Sequence, residues 1–455
     1  IKVYKLFDLS VSDTHYAYTV NADYKNAIAT ALGLSKEATS EQLYNKLAEY
    51  KENPSGIQKF ANDFTAAALK AGTAETGTSK KLGEVTEYKF ENLDYGYYLV
   101  YQTGTKEIQS SLVSVDDVDV TVNLKGQAPS IDKTANATTV EIGQVVTYTI
   151  KGTIPDTTGY DKYTYKIHDT LTEGLDFVKD AVGTAQEGTS YNVSVKIGEG
   201  QAETKAATLS GENNRIMTLD LSEWIRNNQN SKGQEFTVTY YAKVNADAVV
   251  QTNNSAHLEY GNDPDNITTT TPDVVTTPTY PVQIHKLIKD QQNSYLAGAI
   301  FRLYRSEEDA NNNQNAIAVT GSNGTYTVDP EQVGDNKMYD MESIGDGTTV
   351  GTGMNLKLNG LAEGSYWLVE TQAPDGYNKL TAPVKITITK SDTTNDWTIK
   401  QNDGVVDDKI IDIENTTGTL LPETGGMGTV IFTVIAVVMI LGIAVSFVIS
   451  RRKRA

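Results

Sequence analysis

The sequence predicts a mainly β protein made of three tandem β-sandwich domains, followed by a C-terminal transmembrane helix. Runs rich in Val, Ile, Thr and Tyr alternate with Gly, Asn and Asp turns over most of the 455 residues, as in VVTYTI at 145–150 and FTVTYY at 236–241. Such runs and their spacing are typical of strands in β-sandwiches. The length fits about three domains of ~150 residues. One apolar run, at 430–449, has about the ~20 residues that a membrane-spanning helix needs.

Clusters of Pro, Gly and Thr mark the predicted domain boundaries. GQAPS at 126–130 ends the first domain, and the Thr- and Pro-rich stretch 268–281 ends the second. The predicted domains are residues 1–128, 129–278 and 279–418, with a C-terminal segment at 419–455.

Residues 23–71 break the strand pattern and predict helices inserted into the first domain. Thr39 and Gln42 have the spacing of a capping box, and Leu43 and Leu47 share one helix face. Further apolar residues keep a period of 3.6, which is that of an amphipathic helix. They are Ile57, Phe60, Ala61, Phe64, Ala67 and Ala68.

Charge and cysteine content exclude several classes of function. The net charge is −19, and because residues 451–454 contribute +4, the rest of the chain carries −23. Nucleic acid is an unfavourable partner for so acidic a surface. Cysteine is absent, which excludes disulfides and thiolate metal sites.

Little in the sequence points to a turnover enzyme. It has no phosphate-binding loop, redox motif or Ser/His/Asp pattern, so we expect no cofactor. The four histidines share no ligand spacing, which predicts no metal site. They are His15, His168, His257 and His285.

The C-terminal segment has three parts in a fixed order: a short motif, the apolar run and a basic tail. The motif is LPETG, formed by Leu421, Pro422, Glu423, Thr424 and Gly425. The basic tail would stay on the cytoplasmic side of the membrane. This order resembles the cell-wall sorting signal of Gram-positive surface proteins. The resemblance implies that a sortase cleaves between the Thr and the Gly and transfers the Thr acyl group to an amine. An ordinary single-span anchor is the alternative.

The third domain contains LAEGSYWLVE at 361–370, which resembles the E-box of Gram-positive pilins and of Ig-like collagen-adhesin B-type (CnaB) domains. In that family a strand Lys, a core Glu and a last-strand Asn form an isopeptide bond without an enzyme. The matching residues are Lys286, Glu370 and Asn415. Burial would favour the neutral amine that attacks and a protonated carboxyl that moves protons. A plain ion pair with Asn415 as a turn cap is the alternative.

The second domain resembles the fimbrial isopeptide-forming domain found in the middle of such pilins. The matching segments include IDKT at 131–134 and IHDTL at 167–171. The resemblance implies a reacting set of Lys133, Asp169 and Asn254, in which an Asp replaces the Glu. The neighbouring amides of Asn253 and Asn262 are alternatives for the acceptor.

The first domain echoes the E-box in LDYGYYLVY at 93–101, but without the Glu. Its strand lysine would be Lys5. Tyr101 stands where the Glu should be, and Gly126 stands where the Asn could lie. We therefore predict no isopeptide bond in this domain.

Lys125 is the candidate amine for polymerisation. It lies in VTVNLKG at 120–126, which resembles the VxVYPKN pilin motif of backbone pilins but lacks its Tyr, Pro and Asn. A solvated linker lysine is the alternative interpretation.

These features together predict a backbone pilin subunit anchored in the cell wall at the cell surface after transient membrane insertion. Its expected partners are a class C and a housekeeping sortase, identical pilin subunits, accessory pilins and peptidoglycan. It would not be an enzyme, apart from forming its own isopeptide bonds, which the acids Glu370 and Asp169 would promote. The alternative is a monomeric sortase-anchored adhesin that binds a host ligand.

Overall fold

The chain divides into two compact units, Ile1–Pro278 and a second that begins at Thr279. The first unit contains two sheets, one built from residues before 116 and one from residues after 130. The predicted division into three domains stays a prediction. The computed structural model describes residues 1–12, 15–50, 53–78, 87–102, 109–116, 119–124, 128–157, 162–248, 251–261, 267–334, 337–391 and 396–417.

The first sheet is antiparallel, with the order β2-β1-β4-β5 and a short β3 paired to β1. Its strands are β1 (Lys2–Ser12), β2 (His15–Val20), β3 (Gly77–Thr78), β4 (Gly96–Gln102) and β5 (Gln109–Val115). Three helices stand between β2 and β3 in the chain: α1 (Lys25–Leu32), α2 (Ser40–Ala48) and α3 (Pro54–Lys70).

These helices confirm the predicted insertion. The Thr39 side chain accepts a hydrogen bond from the Gln42 amide at 3.2 Å, and the Gln42 side chain accepts one from the Thr39 amide at 2.9 Å. This reciprocal pair is the predicted capping box, and it satisfies two amides that the helix itself leaves free. Helix α1 ends at Gly33, whose φ of 66° suits a residue without a Cβ.

The helices bury one face of the first sheet. Phe64 of α3 is fully buried and meets the ring of Tyr4 from β1 edge-on, with 5.3 Å between centroids. Phe60, one turn earlier, stacks on Phe64 at 5.9 Å. The apolar face that the 3.6-residue period predicted is therefore the face that covers β1.

The second sheet follows the order β15-β14-β8-β12-β11-β10-β13-β7-β6, with β16 paired to β14 and β9 paired to β13. Its strands are β6 (Ile131–Ala135), β7 (Val145–Thr153), β8 (Thr164–Leu171), β9 (Leu175–Val178), β10 (Ser190–Ile197), β11 (Glu203–Ser210), β12 (Ile216–Asp220), β13 (Glu235–Val244), β14 (Gln251–Gly261), β15 (Thr268–Thr269) and β16 (Asp273–Pro278). The 3-10 turn Glu212–Asn214 connects β11 to β12, and helix α4 (Ser222–Asn227) with the 3-10 turn Gln229–Ser231 connects β12 to β13.

Strand alternation places every second residue of these strands in the core. In β13, Phe236, Val238 and Tyr240 are fully buried, and in β7 the same holds for Tyr148 and Ile150. The backbone amide of Lys133 in β6 donates to the Asp273 carboxylate of β16 at 2.7 Å, which links the first and last strands of this fold. Strand β6 at one end of the sheet path therefore contacts β16, which pairs with β14 near the other end.

The second unit has two sheets, with the orders β19-β20-β22-β17-β27 and β21-β18-β23-β24-β25-β26. The strands are β17 (Tyr280–Ile288), β18 (Ile300–Tyr304), β19 (Val319–Ser322), β20 (Thr325–Val328), β21 (Met341–Glu342), β22 (Leu356–Leu361), β23 (Gly364–Gln372), β24 (Val384–Lys390), β25 (Trp397–Gln401), β26 (Gly404–Val406) and β27 (Ile410–Asn415). One helix, α5 (Glu307–Asn312), follows β18. The first strand, β17, pairs in parallel with the last, β27.

The described residues are thus mainly β, with several β-sandwich domains, as predicted. The predicted transmembrane helix, within 419–455, lies outside the described residues. Among the residues described, which end at 417, no helix is long and apolar enough to cross a membrane.

Replacing Phe64 by Ala should destabilise the first domain by about 3 to 5 kcal/mol, because it opens a cavity between α3 and β1. Urea unfolding followed by the helical circular dichroism signal measures this change. Tyr16→Ala is the control, since Tyr16 is 63% exposed. Equal unfolding midpoints for the two variants would contradict the packing described for Phe64.

Candidate functional site

Lys286 occupies an inward-facing position of β17 and is fully buried. In the parallel pairing it lies opposite Ile413 of β27. The buried side chain of Asn355 fixes this part of the strand: it accepts from the Lys286 amide at 2.7 Å and donates to the Lys286 carbonyl at 3.1 Å. Both backbone polar groups of Lys286, the amide and the carbonyl, are therefore hydrogen-bonded, which fixes the point from which its side chain extends.

Glu370 reaches the same point from the other sheet, on β23, and is 1% exposed. Its Oε1 lies 3.7 Å from the Nζ of Lys286 and accepts a 2.8 Å hydrogen bond from the Nδ2 of Asn415. Its Oε2 accepts from the amide of Leu380 at 2.8 Å. The three residues predicted from the E-box resemblance are thus in contact around one carboxylate oxygen.

The environment of this set favours a neutral lysine. Burial lowers the pKa of Lys286 to about 8, although the neighbouring Glu370 opposes the shift. The Nζ also donates to the carbonyl of Ile413 at 3.2 Å, two residues before Asn415 on the paired strand. The Oδ1 of Asn415 is buried without a hydrogen bond among the described residues. An amine, an acid and an amide with a free carbonyl oxygen are what amide transfer requires.

The second predicted set is also assembled. Lys133 of β6 and Asp169 of β8 form a hydrogen-bonded ion pair, and both side chains are fully buried. Asn254 of β14 is fully buried as well. Asp169 lies opposite Ala256 in the ladder, and Asn254 lies two residues before it, so both residues face the same side of the sheet.

Burial changes the charge balance of this pair. It lowers the pKa of Lys133 and raises the pKa of Asp169, while the attraction between the two groups opposes both shifts. The Nζ of Lys133 lies over the rings of Tyr148 and Tyr240, 5.3 and 5.8 Å from their centroids. Both shifts favour a neutral amine beside a protonated acid.

Tyr240 also contacts this set, and the sequence did not single it out. Its hydroxyl donates to the Oδ2 of Asp169 and accepts from the Nδ2 of Asn254 at 3.1 Å. Burial raises its pKa well above the ordinary value. The alternation of FTVTYY at 236–241 could have placed Tyr240 in the core, but it does not indicate which polar groups the hydroxyl meets.

The position of the neighbouring amide supports Asn254 as the acceptor. Asn253 points to the opposite side of β14, is partly exposed, and accepts a 2.7 Å hydrogen bond from Thr276. Asn262, the other alternative, lies outside the described residues. Asn254 is therefore the amide that the described structure brings to the buried pair.

Lys5 has different surroundings. Its Nζ lies 2.7 Å from Asp8 and 3.6 Å from Asp94, whose side chains are 53% and 91% exposed. Tyr101 lies in β4 opposite Lys2, and Gly126 falls outside the described residues. The carboxylates near Lys5 are solvated, which differs from the buried acids near Lys133 and Lys286. The absence of a bond in this domain stays a prediction.

The polymerisation residues lie outside the described residues: Lys125 and the sorting motif Leu421, Pro422, Glu423, Thr424 and Gly425. The segment just before the lysine is described. Val122 and Leu124 pack on the buried cluster of Val3, Tyr98 and Val100. Alternate residues before position 125 are therefore held against the first sheet, on the Val3 side of β1.

Three histidines have protein partners. His168 contacts Glu259 at 3.0 Å and stacks on His257 with 4.9 Å between ring centroids. His285 contacts Asp412 at 3.0 Å and the Ser294 carbonyl at 2.9 Å. Within the described parts of the chain, no group of three or more His, Asp or Glu side chains is arranged to hold a metal ion.

Two family descriptions match parts of the chain. A prealbumin-like fold domain, SpaA, matches residues 281–403, which include Lys286 and Glu370. An LPXTG cell wall anchor motif matches residues 413–455, which include Asn415 and the predicted sorting motif. The predicted reacting set of the last domain therefore spans the two matched regions.

The fimbrial subunit type 1 of Actinomyces viscosus is 24% identical over 85% of this chain and 79% of its own length. The chain is a cell-wall-anchored relative of fimbrial subunits. Its anchor places it at the cell surface, as predicted.

Solved structures of two pilins are also similar. The T6 backbone pilin of Streptococcus pyogenes is 15% identical, covers 92% of this chain and 96% of its own, and has a TM-score of 0.48. The major pilin RrgB of Streptococcus pneumoniae is 16% identical, and the match covers 76% of this chain and 88% of the RrgB chain with a TM-score of 0.45.

An Asn415→Ala variant keeps a free amine at Lys286, and its stability should depend on pH. With a folded pKa of about 8 against 10.5 in the unfolded chain, the unfolded state binds the extra proton between these values. The free energy of unfolding should therefore rise with pH across this window, by up to about 3 kcal/mol. Urea unfolding at pH 8 and at pH 10.5 measures it.

Asn415→Ala combined with Lys286→Met is the matched control, because it removes the titrating amine and leaves all other groups. Identical pH slopes for the single and double variants would mean that Lys286 does not titrate in this window.

Proposed function

We propose that this chain is the backbone subunit of a sortase-assembled pilus, with Lys–Asn isopeptide bonds in its last two domains. The observation that carries the proposal is the pair of fully buried Lys–acid–Asn sets in a chain that also bears a cell wall anchor motif. A buried ion pair is a poor source of stability, because desolvation offsets its attraction. Two such pairs, each beside a buried Asn, are better explained as reactants.

The bond at the Glu370 site would form by direct attack. The neutral Nζ of Lys286 attacks the Cγ of Asn415, the new C–N bond forms, and the Nδ2 leaves as ammonia. Glu370 contacts both nitrogens, so it can take a proton from the attacking one and give a proton to the leaving one. No cofactor or external oxidant is needed, since the products are an amide and ammonia.

Polymerisation would join Thr424 of one subunit to Lys125 of the next. The sortase holds the Thr424 acyl group and passes it to the lysine amine, again forming an amide. The packing of Val122 and Leu124 on the first sheet supports this assignment. Lys125 follows this packed segment directly in the sequence.

The two intramolecular bonds would lie on the path of tension. Force that enters at Lys125 and leaves at Thr424 crosses the second and third domains but bypasses the first. Bonds from Lys133 to Asn254 and from Lys286 to Asn415 would each close a loop of more than about a hundred residues, worth ~4 to 5 kcal/mol by chain entropy. Each joins strands near the two ends of its domain, so the sheet between need not unfold under load.

Intact-mass measurement tests the bonds. The purified chain should be lighter than its sequence mass by two ammonia molecules. Glu370→Gln and Asp169→Asn should each restore the mass of one ammonia molecule, because each variant removes the acid at one site and leaves the other site intact. Peptide mapping then assigns the remaining bond. A wild-type chain at full sequence mass would refute the cross-linking.

Lys125→Arg tests polymerisation. In cells with the cognate class C sortase, the wild type should give high-molecular-weight ladders in wall extracts, and the variant should give none, since a guanidinium does not accept the acyl group. Lys89→Arg is the control, because Lys89 is an exposed lysine of the first domain.

Ladders that persist in Lys125→Arg would assign the acceptor role to another lysine. A wild type that reaches the wall but never forms ladders would favour the monomeric adhesin.

A further inference from the structure

The two buried sets differ in how the acid meets the amide. At the Glu370 site, the carboxylate accepts a hydrogen bond directly from the Nδ2 of Asn415 at 2.8 Å. At the Asp169 site, the Nδ2 of Asn254 donates instead to the hydroxyl of Tyr240, and this hydroxyl donates to the Oδ2 of Asp169. A tyrosine hydroxyl thus stands between acid and amide in one set only.

The two sets also differ in the length of the acid and in the strands that supply the polar groups, since aspartate is one methylene shorter than glutamate. Asp169 and Asn254 come from the neighbouring strands β8 and β14, whereas Tyr240 comes from β13. The tyrosine hydroxyl therefore reaches both groups from a third strand.

We propose that Tyr240 is a catalytic residue for the bond between Lys133 and Asn254, where it relays a proton from Asp169 to the leaving nitrogen. This inference depends on the proposed isopeptide function. It adds a fourth residue to the reacting set, one with no counterpart in the contacts of the Glu370 site.

The relay balances its protons and bonds. Lys133 first transfers one proton from its ammonium group to Asp169, with which it is hydrogen-bonded. The neutral Nζ attacks the Cγ of Asn254 and forms a C–N bond. Tyr240 gives its proton to the Nδ2 and takes the proton held by Asp169. The C–Nδ2 bond then breaks, ammonia leaves, and Asp169 accepts the second proton from the Nζ.

The hydrogen bond between Asn254 and Tyr240 can reverse its direction during this reaction. In the planar amide the nitrogen lone pair is delocalised, so the Nδ2 donates to Tyr240, as the structure shows. After attack the carbon is tetrahedral, and the Nδ2 becomes an amine with a free lone pair that accepts a proton. The group already in contact with this nitrogen is the Tyr240 hydroxyl, which makes it the nearest source.

Burial makes the relay more important. Tyr240, Asp169 and Asn254 are all fully buried, so this nitrogen has no contact with bulk water in the folded domain. Asn254 also helps to hold the pKa of Asp169 down, although burial has the larger, opposite effect. A direct transfer from Asp169 to Asn254 is therefore the rival pathway that an experiment must separate from the relay.

Tyr240→Phe tests the relay, because it removes one oxygen and keeps the ring. The full chain is made by cell-free synthesis, translation is stopped, and samples taken over time are denatured and mapped for both bonds. We expect the Lys133–Asn254 bond to form about a hundredfold more slowly in the variant, in line with the usual contribution of a general acid. The Lys286–Asn415 bond should form at the wild-type rate in the same molecules.

Tyr148→Phe is the matched control. The buried Tyr148 ring stacks on Tyr240 with 5.6 Å between centroids and lies under the Nζ of Lys133. Its Phe variant therefore loses a hydroxyl close to the same site but keeps the Tyr240 hydroxyl between Asp169 and Asn254. It should form the bond at nearly the wild-type rate. A Tyr240→Phe rate equal to the Tyr148→Phe rate would overturn the relay in favour of direct transfer.

A measurement on the wild type covers the case in which Tyr240→Phe weakens the fold. If the rate is followed in mixtures of light and heavy water, two protons moving together through the tyrosine should give a curved dependence on the deuterium fraction. A straight line would mean one proton in transit and would overturn the relay. If the wild type never forms the Lys133–Asn254 bond, the proposed function itself fails at this site.

Discussion

The structure depends on one costly interaction: a lysine amine held beside a carboxyl group inside a β-sandwich core. At Lys286 and at Lys133 the side chain is fully buried, and both acids are closed off from water as well. Desolvation destabilises the charged forms more than the contact between them restores. The same low-dielectric surroundings leave the amine closer to its neutral, nucleophilic form, so under the proposed function the cost in stability before the reaction would be the source of the reactivity.

Strand topology decides which residues can share such a core. Lys286 and Asn415 are about 130 residues apart, yet parallel pairing of the first and last strands makes their positions neighbours, while Glu370 arrives from the facing sheet. In the other set, antiparallel pairing of β8 with β14 brings Asp169 and Asn254 to the same face. A bond across either arrangement joins the ends of a domain, which suits a subunit that would carry tension along its length.

Local patterns in the sequence were enough for some residues and not for others. The spacing of Thr39 and Gln42 predicted a capping box from local sequence alone, and the structure contains that capping box. Lys133 and Asn254 lie in segments that resemble known ones, and strand alternation separates Asn254 from the partly exposed Asn253. Tyr240 gave no such signal, because the alternation of FTVTYY at 236–241 is that of any buried strand. The partners of its hydroxyl, Asp169 and Asn254, come from other strands of the sheet.

The sequence by itself determined the mainly β class, the helical insertion and the anchor motif, because each of these depends on residue type and short-range spacing. It proposed the two Lys–acid–Asn sets only through the resemblance of their segments to known ones. Only the tertiary structure decided how the acids meet the amides: directly at Glu370, and through a tyrosine at Asp169. That distinction depends on where side chains from β8, β13 and β14 meet in the core, and no pattern along the chain encodes a distance across the core.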